Sequence, residues 1–157
     1  MIVHPIPPLY DGNSKTLILG SFPSVKSREA AFFYGHPQNR FWAVIAEVLG
    51  CEKPQTVEEK KKLVLESNLA MWDVIESCEI EGSSDSSIKN VTPNDLSVIL
   101  NNSKVDRIFV NGKAAEKYYL KYTYPKTGIK AVCLPSTSPA NAAWSIEKLV
   151  QAWKIIL

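Results

Sequence analysis

Short apolar runs alternate with longer stretches in which apolar residues return every three or four positions. Thr16-Leu-Ile-Leu-Gly20 is a continuous apolar run ending in glycine, the pattern of a strand covered on both faces. Asn68-Leu-Ala-Met-Trp-Asp73, Arg107-Ile-Phe-Val110 and Ile129 to Leu134 read the same way. Between them lie helical patterns. Phe41, Val44, Ile45, Val48 and Leu49 share one face, and Gly50 stops that helix. Thr56-Val-Glu-Glu59 is a capping box that opens a helix to about Ser67. Thr92-Pro93-Asn94-Asp95 predicts a cap followed by proline in the first helical turn, with the helix running to about Asn101. A further helix follows Asn111-Gly112 to about Tyr122. Ser145 caps a last one, with Ile146, Leu149, Val150, Trp153 and Ile156 on one face.

Four apolar strands separated by helices predict parallel βαβ units. The expected fold class is α/β, a three-layer α/β/α sandwich around a four-stranded parallel sheet, with residues 1–157 as a single domain. Such sheets bind ligands beyond the carboxyl ends of their strands. Those ends run into Gly20-Ser-Phe-Pro-Ser24, Trp72-Asp73, Asn111-Gly112 and Pro135-Ser-Thr-Ser-Pro139.

Composition narrows the class. With 7 Gly, 10 Pro and 22% charged residues in 157, low-complexity and collagen-like chains are excluded. The net charge of +2 says little, but its distribution says more. Lys104 to Leu157 holds nine basic and three acidic residues, against nine and thirteen in Met1 to Ser103. A basic carboxyl-terminal half fits an anionic partner such as a nucleic acid backbone, or a lysine-rich solvated surface. Three cysteines without a CxxC pair give no disulfide framework and no four-cysteine metal site. The expectation is an intracellular, cytoplasmic protein without a membrane span, metal or cofactor, and monomeric.

Three segments carry candidate chemistry. Gly20 to Ser24 leaves the first strand as a tight loop and is neither a Walker loop nor GxGxxG. In Tyr34-Gly-His-Pro-Gln-Asn-Arg-Phe-Trp42, Asn39 offers an amide that can accept from water and donate to a substrate oxygen, or can cap the next helix. His36 is an electrophile candidate or a turn residue. Leu134-Pro-Ser-Thr-Ser-Pro-Ala-Asn141 is a rigid loop of small hydroxyl residues suited to phosphate oxygens. Trp42, Trp72 and Trp153 read as core, and Trp144 as core or surface. Lys60-Lys61-Lys62 reads as a solvated face, and Asn111 as a turn residue.

Together these segments resemble the uracil-DNA glycosylase superfamily, specifically its hypoxanthine-DNA (deoxyinosine) glycosylase branch, beside the mismatch-specific uracil-DNA glycosylases. The resemblance spans about 17 to 145. It implies a monofunctional glycosylase acting on DNA that contains deaminated bases, with Asn39 as the catalytic polar residue. By the same resemblance Tyr34 stacks on the flipped base and Asp73 reads the base edge; the Phe22 ring offers a second stacking surface. Ser136, Thr137, Ser138 and Asn141 would contact DNA. Two departures stand out. Uracil-removing branches carry Asp or Asn at the position of Phe22, and His or Asn at the position of Leu134. Neither Phe nor Leu can orient water or hydrogen-bond a base. Both changes point away from ordinary uracil excision. The alternatives are a uracil- or mismatch-directed glycosylase, and an inactive nucleic-acid-binding module of the same fold. A small-molecule α/β hydrolase lacks its GxSxG.

Overall fold

A computed structural model describes residues 1–157. The four predicted strands form one parallel sheet, β2 (Thr16–Gly20), β3 (Leu69–Asp73), β6 (Arg107–Asn111) and β7 (Ala131–Leu134), in the order β3-β2-β6-β7. The expected three layers follow from alternation along the strands. Ile18, Met71 and Phe109 face a core closed by α2 (Phe41–Leu49), α3 (Val57–Glu66) and α7 (Ile146–Trp153). Leu17, Leu19, Ile108 and Val110 face a second core under α4 (Ser97–Leu100) and α5 (Lys113–Tyr118). Trp42 and Trp153 are buried in the first core, and Trp72 and Trp144 pack half-buried at its edge. Each Trp indole save that of Trp144 donates to a backbone carbonyl, of Phe33, Ile6 and Pro135 respectively for Trp42, Trp72 and Trp153.

Two features differ from expectation. The first is a second, antiparallel sheet, in which β1 (Ile2–Val3) pairs with β4 (Ile75–Glu79), and β4 with β5 (Lys89–Pro93). Thr92-Pro93 therefore ends an edge strand, where the missing N–H of proline costs little, instead of opening a helix. Asn94 then stitches the corner between β3 and β4, its Nδ2 donating to the carbonyls of Asp73 and Ile75. Asp95 Oδ1 accepts from the Ser97 N–H, so the helix begins four residues later than predicted. The second is the continuation of α5 through a π-helical stretch, Tyr119–Thr123, into α6 (Tyr124–Thr127), past the predicted stop at Tyr122. α1 (Val25–Ala30) follows the first loop, capped by Ser24 through the Ser27 N–H.

The ten residues before β2 are also structured. Leu9 exchanges two backbone hydrogen bonds with Met71, both 2.9 Å, and His4 N–H donates to the Glu76 carbonyl. The amino-terminal segment thus runs beside β3 and reaches the carboxyl end of the sheet.

Candidate active site

A cleft of about 360 Å³ opens at the carboxyl ends of β2, β3 and β6. The loop after β2, the Tyr34–Asn39 segment and the Ser136–Ala140 loop meet there with Asp73. Gly20 makes this possible at the base of the cleft. A Cβ on it would stand 2.4 Å from Asp73 Oδ1 and 3.1 Å from the Tyr34 hydroxyl.

Asn39 sits at the amino end of α2. Its Oδ1 accepts from the Phe41 N–H at 2.9 Å and from Thr137 Oγ1 at 2.9 Å. Two donors fix which amide atom is the oxygen and fill both lone pairs. The N-cap of α2 is Arg40, one residue on, so Asn39 precedes the cap; with its Oδ1 filled, Nδ2 is the atom left without a partner in the chain. The Asn39 amide is a donor to the cleft.

Behind Asn39 lies a closed network. Thr137 is 0% exposed; its Oγ1 accepts from Asn111 Nδ2 at 3.0 Å, and its N–H donates to Asn111 Oδ1 at 3.1 Å. Thr137 is thus an orienting hydroxyl with nothing left for a phosphate, which corrects its expected role. Asn111 does more than turn the chain, since it holds Thr137 at both ends. Asn141 braces the same loop. It lies outside the cleft lining, and its Nδ2 closes the loop on the Ser136 carbonyl at 3.0 Å. Ser136 and Ser138 do line the cleft. Each hydroxyl oxygen accepts a loop N–H, of Ser138 and Ala140 respectively, so each keeps its own proton to donate.

Arg40 holds this loop shut, a role the sequence did not signal. Its guanidinium donates to the carbonyls of Thr137, Ser138, Asn141 and Trp144, and its backbone N–H to Thr137 O at 3.1 Å. His36 lines the cleft as a turn residue whose Nδ1 accepts the Gln38 N–H at 3.1 Å.

The other end of the cleft differs. Phe22 is 8% exposed, with the Arg28 guanidinium 5.6 Å over its ring. Tyr34 stacks on Phe41, centroids 4.1 Å apart at 23°, so one of its faces is already covered. Its φ of 52° is unusual for a non-glycine residue. The Tyr34 hydroxyl is buried and unpartnered. One proton of Asn111 Nδ2 goes to Thr137 Oγ1, and the amide lies near enough to the phenol to lower its pKa in part. Burial first, then the nearby Asp73 charge, push the phenol pKa far above its usual range, so the hydroxyl stays neutral. Asp73 is 4% exposed, and its Oδ2 lies 2.7 Å from His4 Nε2. Asp85, in the turn between β4 and β5, reaches the rim, where its Oδ1 accepts from Ser21 Oγ at 3.0 Å. Neither His4 nor Asp85 was singled out by the sequence.

A doubly covered parallel sheet, with a donor amide and a buried carboxylate lining one cleft at the carboxyl ends of its strands, defines an α/β/α fold with a small-ligand pocket edged by hydroxyls. Residues 7–156 match the model of the uracil DNA glycosylase superfamily, and the chain belongs to it. A hypoxanthine DNA glycosylase of Methanosarcina acetivorans is 35% identical over 147 residues, covering 92% of each chain. A hypoxanthine DNA glycosylase of Methanosarcina barkeri is 31% identical over 150 residues, covering 94% of this chain and 92% of its own. A solution NMR structure from Methanosarcina acetivorans, assigned to the uracil DNA glycosylases, matches with a TM-score of 0.81 at 30% identity over 99% of both chains.

Proposed function

We infer that this chain is a monofunctional DNA glycosylase that extrudes a deaminated base, chiefly hypoxanthine, and hydrolyses its N-glycosidic bond to leave an abasic site. The observation that carries the reading is Asn39, fixed at the cleft with one free donor, in a chain about a third identical to named hypoxanthine DNA glycosylases. A stacked nucleotide hides its glycosidic bond, so the base must leave the duplex at a cost of a few kcal/mol, least for a mispaired one. Stacking against the open surface of Phe22 and Tyr34 would return about 1–3 kcal/mol. Cleavage passes through an oxocarbenium-like sugar while negative charge grows on the departing base. A neutral N–H donor stabilises that charge without abstracting a proton. Asn39 Nδ2 suits this dissociative course, donating to the base or to the oxygen of the attacking water. Ser136 and Ser138 would hold flanking phosphates with their free hydroxyl protons.

Two further elements belong to this proposal. The cleft is complete within one chain, which supports a monomer. Three free thiols fit the reducing interior of a cell.

Phe22 and Leu134 argue against a uracil-directed enzyme, and the closed network behind Asn39 argues against an inactive module. End-labelled duplexes carrying deoxyinosine, deoxyuridine or deoxyxanthosine provide the test. Strand breakage after alkali is expected with deoxyinosine first. Breakage with none of the three would sink the reading.

A further inference from the structure

The cleft is lined by two carboxylates, Asp73 and Asp85, and by no lysine or arginine. Both charges oppose an incoming phosphate backbone. A charge that opposes binding and still favours the transition state raises the rate without raising affinity. The two are placed differently. Asp73 is 4% exposed and lies over Gly20 at the base of the cleft. Asp85 stands at the rim, on the turn between β4 and β5, and takes part in no ion pair. Ser21 Oγ donates to its Oδ1 at 3.0 Å, which leaves Oδ2 without a partner in the chain. Two more bonds pin the same turn to α1. The Val25 N–H donates to Ser83 Oγ at 2.9 Å, and the Arg28 guanidinium donates to the Gly82 carbonyl at 2.7 Å.

The water that attacks the sugar gives up a proton, and the other polar side chains near the mouth are poor takers. Asn39 Oδ1 already accepts twice. The His36 ring nitrogen Nδ1 accepts the Gln38 N–H, so Nε2 carries the proton and can only donate. The loop Gly20 to Ser24 holds neither a carboxylate nor an amide side chain. A flipped base enters the cleft first. The sugar that carries it, and the water approaching that sugar, stay at the mouth. Asp85 is the carboxylate at the mouth, and Asp73 the one at the base. Desolvation first, then the Asp73 charge, raise the Asp85 pKa, with the Ser21 bond lowering it in part, so this carboxylate takes a proton more readily than an ordinary one.

We propose that Asp85 is a catalytic carboxylate of this site, whose Oδ2 meets the positive charge developing on the sugar and accepts the proton of the attacking water, with Ser21 as its positioning residue. The glycosidic C1′–N bond breaks and its electron pair leaves with the base. The water oxygen forms the new bond to C1′ and passes one proton to Oδ2. That proton then returns, through solvent, to the departed base anion, so carboxylate and site are restored. Asn39 serves the leaving side with its N–H group, and Asp85 serves the entering side. The proposal rests on the glycosylase reading above and names the proton acceptor which that reading lacks.

Single-turnover release of hypoxanthine from a deoxyinosine duplex, with protein in excess, tests it. Asp85→Asn and Asp85→Ala should each slow release about 20-fold, less than a fully enclosed proton acceptor gives, because open water also reaches the rim. Duplex affinity and melting temperature should hold or rise, since a charge that opposes DNA is gone. Formate supplies a free carboxylate. It should speed Asp85→Ala at least about threefold and leave the unmodified protein unchanged. Ser21→Ala, which keeps the carboxylate but frees it, should slow release about threefold without a response to formate. If both Asp85 variants release hypoxanthine within about threefold of the unmodified protein, the inference is overturned and the glycosylase reading stands. If they are slow only because they bind the duplex more weakly or melt lower, and formate restores nothing, Asp85 is structural and the inference is again overturned. Release of no base by the unmodified protein from any duplex would remove the glycosylase reading itself.

Discussion

The two ends of the cleft treat polar atoms in opposite ways. Around Asn39, Thr137 and Asn111, the side-chain oxygens and amides bond one another, and Arg40 clamps the loop that carries Thr137. The Asn39 Nδ2 group remains for chemistry. Around Tyr34 and Asp73 the clamp is a single bond from His4, and a donor and an acceptor stay open. The first arrangement resembles a preorganised catalytic group, which costs no reorganisation at the moment of reaction. The second resembles a binding edge that is complete only when occupied. The contrast teaches where stability and function separate. Substitutions at the Asn39 end should cost both, whereas removing the unpartnered Tyr34 hydroxyl should cost no stability.

The largest expected effect breaks the Asn39 end. Asn39→Ala should slow hypoxanthine release by about 10²-fold or more, about 2.7 kcal/mol of barrier. Asn39→Asp distinguishes the atom at work. A carboxylate still accepts from Phe41 N–H and Thr137 Oγ1, but it brings no donor to the cleft. Equal loss in Ala and Asp is expected in single-turnover rates. Substantial activity in Asp alone would return the role to an acceptor that orients water.

Next is the clamp. Arg40→Gln removes donors from four carbonyls at once. Hydrogen bonds to charged groups contribute about 1.5–3 kcal/mol each but do not add. A loss of about 2–3 kcal/mol in denaturant unfolding is expected, with weaker duplex binding. An unchanged midpoint would show the loop to be held by its own turns. Thr137→Val is gentler. It keeps the shape, frees the Asn39 amide and leaves Asn111 Nδ2 unpaired. About tenfold slower release is expected. In a cycle with Asn39→Ala that loss should nearly vanish, because the hydroxyl acts through Asn39.

The same contrast explains what could be read from the sequence. The Asn39 end is built from contiguous segments after apolar strands, and both signals are local. All four parallel strands and the loops bearing Phe22, Asn39 and Ser136 to Ser138 were legible for that reason. The other end depends on contacts with no local trace. His4 meets Asp73 across 69 positions, and Asp85 meets Ser21 across 64. The hairpin carrying Asp85 escaped because its strands do not alternate cleanly: β4 and β5 shift register twice. With that period lost, Thr92-Pro93-Asn94-Asp95 matched a helix start. Thr137 read as a phosphate donor because a sequence shows a hydroxyl but not its partner.

The smallest effect on stability sharpens the contrast at the rim. Asp85 is exposed as a residue, yet its carboxylate turns inward onto Ser21 at the cleft. Desolvation is the main cause that raises its pKa; the Ser21 bond lowers it in part, and the Asp73 charge raises it further. A carboxyl raised in the folded state holds its proton more tightly there than in the unfolded chain. Its ionisation therefore costs stability, nothing at low pH and increasingly as pH rises from the ordinary carboxylate value to the raised one. Solvent screening at this exposed residue limits that cost to a few tenths of a kcal/mol. Asp85→Asn should flatten the stability profile across that window and leave the neutral protein equal or slightly more stable. It also removes a negative charge where phosphates must approach. Duplex affinity should rise about two- to threefold at low salt, and the gain should fade as salt rises. An affinity that stays unchanged at low salt would show that this carboxylate lies outside the path of the phosphates.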